Sequence, residues 1–146
     1  MNTPETPVAK TAMMNVSTPR LMERLKATVV DAMVIVLLMY LGSLLLEALA
    51  VESGSIRGAL FGLIWLYEPI ATSFGKTLGH QIMGIRVRKF LPTPDGNPPR
   101  INIFQAIVRF LVKVVLGWVS LLFISSNEYR RAIHDYAGQS VVINVD

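Results

Sequence analysis

The chain has no cysteine among its 146 residues and only two histidines. Disulfides, thiolate nucleophiles and cysteine-based zinc or iron–sulfur sites are therefore excluded. The signatures of hydrolases and nucleotide-binding proteins are missing as well, since there is no His-Glu-x-x-His, no Gly-x-Ser-x-Gly and no Walker loop. We therefore expect no enzyme activity, no cofactor and no metal site.

Charged residues are scarce. They make up 16% of the chain, whereas an ordinary soluble domain has about 25%. Apolar residues make up 52%, and the mean hydropathy is +0.48. This balance predicts an integral membrane protein. The net charge of +4 comes from basic residues that flank apolar segments, as topology determinants do, so the expected partner is a lipid bilayer and not a nucleic acid.

A polar tail precedes three apolar segments. Residues 1–18 are rich in proline and threonine and are expected to form a disordered tail, while residues 19–146 form one membrane domain. Because the first 27 residues contain no apolar signal-peptide core, the first segment itself is expected to direct insertion. The three segments are Pro19–Val51, Ile56–Ser73 and Ile103–Ile124.

Two of these segments contain helix breakers. Glu68-Pro69 predicts that the second helix kinks or ends near Tyr67, because proline cannot continue the hydrogen-bond ladder. In the third segment Arg109, Lys113 and Gly117 favour a break near Gly117 over a clean crossing, although a complete span also fits its length. The prediction is therefore a mainly α polytopic membrane protein with two or three transmembrane helices.

Short stretches of alternating polarity predict a small cytoplasmic β element. Gly84–Phe90 has period-two alternation, and Gln139–Val145 is expected to pair with it as a last strand. Between them, Asp95-Gly96 predicts a hairpin turn and Arg100–Phe104 a returning strand. Asn127–Gly138 is polar and expected to be helical.

The distribution of basic residues predicts the topology. Residues 1–27 carry four Lys and Arg, the 47–57 connection carries one, and the 74–102 linker carries five. By the positive-inside rule, the N-terminus and the linker are cytoplasmic and the turn at Gly54 lies outside. These counts predict a multi-pass membrane protein whose N-terminus is cytoplasmic.

Asp31 lies about one turn inside the first apolar segment, seven residues after Arg24. A charge at the bilayer centre costs about 2.5–3.5 kcal/mol, so such a residue usually faces protein. The i, i+4 pair Arg109 and Lys113 offers the expected charge partners. Asp31 then either binds an ion or proton, or forms an interhelical ion pair that fixes packing.

Glu68 adjoins Pro69 late in the second segment. Since proline frees a backbone carbonyl one turn earlier, a carboxylate beside it is a candidate for holding a small cation, as broken helices do in transporters. The alternative is an exposed acid at a helix terminus.

The chain resembles the RDD family of small bacterial membrane proteins, named for one arginine and two aspartates. Three ordered elements over residues 20–145 carry the resemblance. The first is the pair Arg24 and Asp31, and the second is the Thr77-Leu78-Gly79-His80 turn with its continuation to Val87. The third is His134-Asp135-Tyr136-Ala137-Gly138-Gln139-Ser140.

The resemblance implies a location in the bacterial inner membrane and a largely uncharacterised family for which transport has been proposed, with some members similar to sodium/proton antiporters. Arg24 either contacts lipid phosphates at the cytoplasmic boundary or pairs with Asp135 in a partly solvated contact of about 1 kcal/mol. His134 is expected to have a structural hydrogen bond or a proton-relay role. Because two or three helices cannot enclose an alternating-access pathway, transport of a small cation implies a homo-oligomer. The alternative is a non-transporting accessory or assembly module.

Overall fold

A computed structural model describes residues 17–91, 98–117, 119–126 and 129–145. The expected disordered tail falls almost entirely outside these residues, as does the Asp95-Gly96 turn. The described elements are α1 (Leu21–Ala48), α2 (Gly54–Trp65), α3 (Tyr67–Ser73), α4 (Leu78–Ile82), β1 (Ile85–Lys89), α5 (Ile103–Leu116), α6 (Val119–Leu122), a 3-10 turn (Phe123–Ser126), α7 (Ile133–Ala137) and β2 (Ser140–Asn144).

The first apolar segment forms α1, the longest described helix, with 28 residues. It is long and apolar enough to cross a membrane, and only 11% of its most apolar 18-residue window is buried inside the structure. A helix this apolar and this exposed needs a cover of lipid or protein. By the same test of length and composition, the bent pair α5 and α6 counts as a second candidate span if it is taken as one.

The second apolar segment breaks where the sequence predicts. α2 ends at Trp65 and α3 begins at Tyr67. Pro69 therefore lies in the first turn of α3, where its missing N–H removes no hydrogen bond within that helix. α2 packs on α1, and a Cβ added at Gly42 would lie 3.2 Å from the Leu60 side chain, so the two helices approach closely there.

The third apolar segment also breaks at the predicted position. α5 ends at Leu116, and Gly117 has a φ of +53°, in the left-handed region that favours glycine. Beyond the break the stretch Val119–Ser125, which contains α6 and most of the 3-10 turn, is inclined by 102° to α5. The segment is therefore bent and not a straight helix.

The two predicted strands pair as expected. β1 and β2 are antiparallel, with Ile85 opposite Asn144 and Lys89 opposite Ser140. Their inward-facing side chains pack on the N-terminal turns of α1 and on α5, in a core made of Ala27, Ile85, Val87, Ile101, Ala106 and Val142. The sheet is thereby fixed against the base of the long helix.

The predicted returning strand Arg100–Phe104 is wrong. α5 begins at Ile103, and Asn102 caps it by accepting a hydrogen bond from the Gln105 N–H while the Gln105 side chain accepts one from the Asn102 N–H. This reciprocal cap outweighs a two-residue alternation of polarity, and β2 already pairs with β1. The predicted helix over Asn127–Gly138 is confirmed only for Ile133–Ala137 among the residues described there.

Candidate functional site

Asp135 lies at the centre of a buried charge cluster. One carboxylate oxygen is 2.5 Å from the Arg24 guanidinium on α1 and also accepts a hydrogen bond from the Ala132 N–H at 2.9 Å. The other is 3.2 Å from the Arg109 guanidinium on α5. Asp135 is fully buried and both arginines are buried as well. The predicted contact of Arg24 with Asp135 is confirmed, but both side chains are buried, so the pair is not the partly solvated one that was expected.

The two arginines decide the charge of Asp135. Burial by itself raises the pKa of a carboxylic acid, but the positive charges of Arg24 and Arg109 outweigh it and hold the pKa of Asp135 far below its usual range. Asp135 is therefore an anion at every physiological pH. It joins α7 to both α1 and α5.

The neighbouring residue His134 is held in place by hydrogen bonds with Ser120. The Ser120 hydroxyl lies 2.7 Å from the His134 Nδ1 and accepts a hydrogen bond from the His134 backbone N–H. Burial lowers the pKa of His134 to about 3, although Asp135 opposes this from 3.6 Å. The imidazole is thus neutral near pH 7 and fills a hydrogen-bonded position.

The residues around Asp135 explain the rest of the C-terminal motif. A Cβ added at Gly138 would lie 2.9 Å from the Arg109 Cβ and 3.0 Å from the Gln105 carbonyl oxygen, so α5 and the end of α7 approach at glycine distance. The Arg131 guanidinium lies between the rings of Phe90 and Tyr136, 4.0 Å from each ring centre. These contacts lock the motif onto its neighbours.

Asp31 is held by a different element from the one predicted. Its carboxylate accepts hydrogen bonds from the Thr77 hydroxyl at 2.6 Å and the Gly79 N–H at 2.8 Å. The predicted ion pair with Arg109 or Lys113 is wrong, because Arg109 pairs with Asp135 and Lys113 pairs with Glu68. Asp31 is 2% exposed, so the hydroxyl and N–H groups at the start of α4 take the place of water around its carboxylate.

The Thr77–Gly79 turn is built around this contact. Thr77 caps α4 by accepting a hydrogen bond from the His80 N–H, and the His80 ring accepts one from the Thr77 N–H. A Cβ added at Gly79 would lie 2.1 Å from the Ala27 carbonyl oxygen, so only glycine fits against α1. Burial lowers the pKa of His80 well below its ordinary value, and the ring stays neutral.

The sequence marks this turn as a motif but does not indicate Asp31 as its partner. The available signal was a threonine two residues before a glycine, the pattern of a helix cap with a close approach. Tyr67 supports the same turn, because its hydroxyl accepts a hydrogen bond from the Leu78 N–H at 3.0 Å.

Glu68 and Lys113 form a separate ion pair, with side chains 13% and 18% exposed. The pair lies in an open groove of about 400 Å³ between α1, the α2–α3 break and α5. Both helix breaks reach this groove, since Trp65 and Gly117 also line it. The rest of its wall is formed by Thr28, Ala32, Val114 and Leu121.

The side chains that sequence reasoning selected thus fall into two groups. Arg24, Asp31, Arg109, His134 and Asp135 are buried in contacts that hold elements together, whereas Glu68 and Lys113 face a groove. Across the ranges that the structure describes, no three His, Asp or Glu side chains converge as ligands of a metal ion. The groove pair is therefore the candidate site.

Comparison with known proteins identifies the family of the chain. Neither curated proteins nor solved structures gave a match. The family model described as "RDD family" matches residues 18–139, a range that contains all three named charges and every element of the buried cluster up to Gln139. The protein belongs to the RDD family.

Proposed function

We propose that the protein is an inner-membrane protein that moves a small cation in exchange for protons, as a homo-oligomer, with Glu68 and Lys113 as the working pair. One observation carries the proposal: the only acid–base pair within the described ranges whose side chains keep some exposure lies where two broken helices meet a groove. Discontinuous helices that meet at an ionisable group are the usual construction of ion sites in transporters.

The exposed apolar surface supports insertion in a bilayer. Large apolar side chains that are more than one third exposed run along the middle of α1 and recur on α5. They include Met33, Val36, Leu37, Tyr40, Leu41, Leu44 and Leu45 on the first helix, and Leu111, Val114 and Val115 on the other. Exposed apolar area of this extent on two elements fits lipid or a second subunit.

The chemistry of the groove suits a small cation. Pro69 has no N–H for the Trp65 carbonyl one turn earlier, and this carbonyl belongs to a residue that lines the groove. Glu68 supplies the negative charge, and Lys113 supplies a counter-charge that holds the carboxylate when no cation is bound. A proton or a cation on Glu68 competes with Lys113, which couples the two ions.

Orientation and assembly follow from charge and size. Four basic residues within positions 1–27 and five in the 74–102 linker, against one at 47–57, support a cytoplasmic N-terminus and linker. Because two or three helices cannot surround an ion pathway alone, the working unit is expected to be a homo-oligomer. A purified protein whose mass stays that of one chain, 16.2 kDa, would contradict transport by this route.

A second candidate function is a membrane module that does not transport. It is favoured by one observation, namely that Arg24, Asp31 and Asp135 are each engaged in contacts between elements. In that case the family charges fold the protein, and the groove pair adds only a further interhelical contact.

Ion flux in reconstituted vesicles separates the two functions. Full-length protein is placed in vesicles with an internal pH dye, and a sodium gradient is applied. We expect proton movement with the natural protein and its loss in Glu68→Gln, because the amide carries no negative charge and does not take up or release a proton near neutral pH. Glu52→Gln, at an exposed acid in the connection after α1, is the matched control and should retain flux. Natural protein that behaves like empty vesicles would favour the non-transporting module.

A further inference from the structure

Three arginines gather on the sheet without an acidic partner. Arg86 and Arg88 project from the same face of β1, since they are two residues apart on a strand. Arg100 approaches from the segment before α5, and its Cγ and the Arg88 Nη1 both lie near Gly75. Arg88 is 8% exposed, Arg86 is half-buried and Arg100 is exposed.

These arginines differ from those of the Asp135 cluster. Arg24 and Arg109 both reach a carboxylate, whereas no Asp or Glu among the described residues lies within salt-bridge distance of Arg86, Arg88 or Arg100. The Arg86 Nε and the Arg88 Nη1 are buried and have no hydrogen-bond partner there. Burial, with the charges of Arg86 and Arg100, lowers the pKa of Arg88.

Such an arrangement is costly unless an anion completes it. A buried charged donor without an acceptor loses its hydration and gains nothing in return. Guanidinium groups match phosphate oxygens in geometry and charge, and several arginines around one phosphate are a common way of binding it. We propose that Arg86, Arg88 and Arg100 bind a phosphate group.

The surroundings favour phosphate carried on a lipid. Gly75 leaves room for the guanidinium, because a Cβ there would lie 2.6 Å from the Arg88 Nη1. Phe74, directly before this glycine, is 69% exposed, and Phe104, four residues after Arg100 in the sequence, is 71% exposed. Exposed apolar rings close to arginines suit a surface where acyl chains meet charged headgroups. The phosphate therefore belongs to an anionic phospholipid headgroup, and free inorganic phosphate is the competing source.

The test is a thermal melt of full-length protein in neutral detergent, followed by intrinsic fluorescence. Dihexanoyl phosphatidylglycerol, sodium phosphate and dihexanoylglycerol, which has the same tails and no phosphate, are titrated separately. We expect the phosphatidylglycerol to raise the Tm and dihexanoylglycerol to leave it unchanged. If sodium phosphate raises the Tm equally, the phosphate site is supported and its source is the free anion.

Variants assign the effect to the arginines. In Arg88→Gln and Arg100→Gln the apparent affinity for the phosphatidylglycerol should fall by about tenfold, the loss expected for one charge-assisted contact. Arg57→Gln, near the start of α2 and away from the sheet, should bind as the natural protein does. Without added lipid, the Tm of Arg88→Gln should not fall, because the change removes repulsion between like charges.

Two results would overturn the proposal. One is an equal Tm rise with dihexanoylglycerol, which would make the effect one of apolar tails. The other is full retention of the phosphatidylglycerol effect in Arg100→Gln, a variant at an exposed position that should fold even if Arg88→Gln does not. Both results are independent of ion flux, so they leave the transport proposal to its own test.

Discussion

The guanidinium of Arg24 and the carboxylate of Asp135 lie 2.5 Å apart, although 111 residues separate them in the chain. Both side chains are buried, and Arg109 completes the cluster from a third helix. Removing one partner of a buried ion pair leaves an uncompensated charge, which is far more costly than losing a surface contact. Loss of one partner should therefore cost more stability than the ~1 kcal/mol expected for a partly solvated pair.

Asp135→Asn should lower the free energy of unfolding by about 3–5 kcal/mol, because Arg24 and Arg109 then repel each other without an anion between them. Chemical denaturation in detergent measures this. Glu52→Gln makes the same acid-to-amide change at an exposed position and should stay within about 0.5 kcal/mol of the natural protein.

A double-mutant cycle assigns the loss to the pair. Arg24→Gln, Asp135→Asn and the double variant should give a coupling well above the ~1 kcal/mol of a surface pair. If the effects of the two substitutions on the free energy of unfolding simply add, the Arg24–Asp135 contact does not contribute to stability.

Gly79→Ala should destabilise the protein, because the new Cβ would lie 2.1 Å from the backbone oxygen of Ala27 and 2.9 Å from the Asp31 carboxyl carbon. Overpacking of this kind costs about 1–3 kcal/mol or more. The matched control is Gly62→Ala, where a Cβ meets nothing within 4 Å. Tm values of the two variants in the same detergent make the comparison, and equal values would contradict the close approach of α4 to α1.

Acid should destabilise the protein through its histidines. The pKa of His134 is lowered to about 3 and that of His80 also lies well below its ordinary value, whereas both titrate near 6.5 when unfolded. The unfolded chain therefore binds more protons below pH 6.5. The contribution of the two neutral histidines to the free energy of unfolding is fully present above pH 6.5. It is lost as the pH falls towards the pKa values of the folded state, by up to about 2.7 kcal/mol per pH unit for two groups.

His134→Asn should reduce that slope by about half between pH 6.5 and 5, since only His80 then takes up a proton on unfolding. Denaturant titrations at three pH values in this window measure the slope independently of any constant loss from the Ser120 contact. A slope identical to that of the natural protein would mean that His134 is already protonated in the folded state.

The sequence allowed some of these contacts to be predicted because charge and glycine leave clear signals. Arg24 and Asp135 match family positions, and Pro69 and Gly117 lie at the two helix breaks. Asp31 was assigned the wrong partners because its real ones, a threonine hydroxyl and a glycine N–H, carry no formal charge. The predicted strand at Arg100–Phe104 is wrong because Asn102 caps a helix there. A pattern of alternating polarity contains no information about such a side-chain cap.

The most direct test of the account compares flux with folding in the same preparations of Glu68→Gln and Asp31→Asn. In the proposed function, Arg24, Asp31 and Asp135 stabilise the fold, whereas Glu68 and Lys113 take part in ion movement. Glu68→Gln should lose flux and stay folded, with a fall in Tm smaller than that of Asp135→Asn, because Glu68 and Lys113 keep 13% and 18% exposure in an open groove whereas Asp135 is fully buried. Asp31→Asn should lose flux only in proportion to the folded protein it loses. A folded but inactive Asp31→Asn beside an active Glu68→Gln would contradict the account.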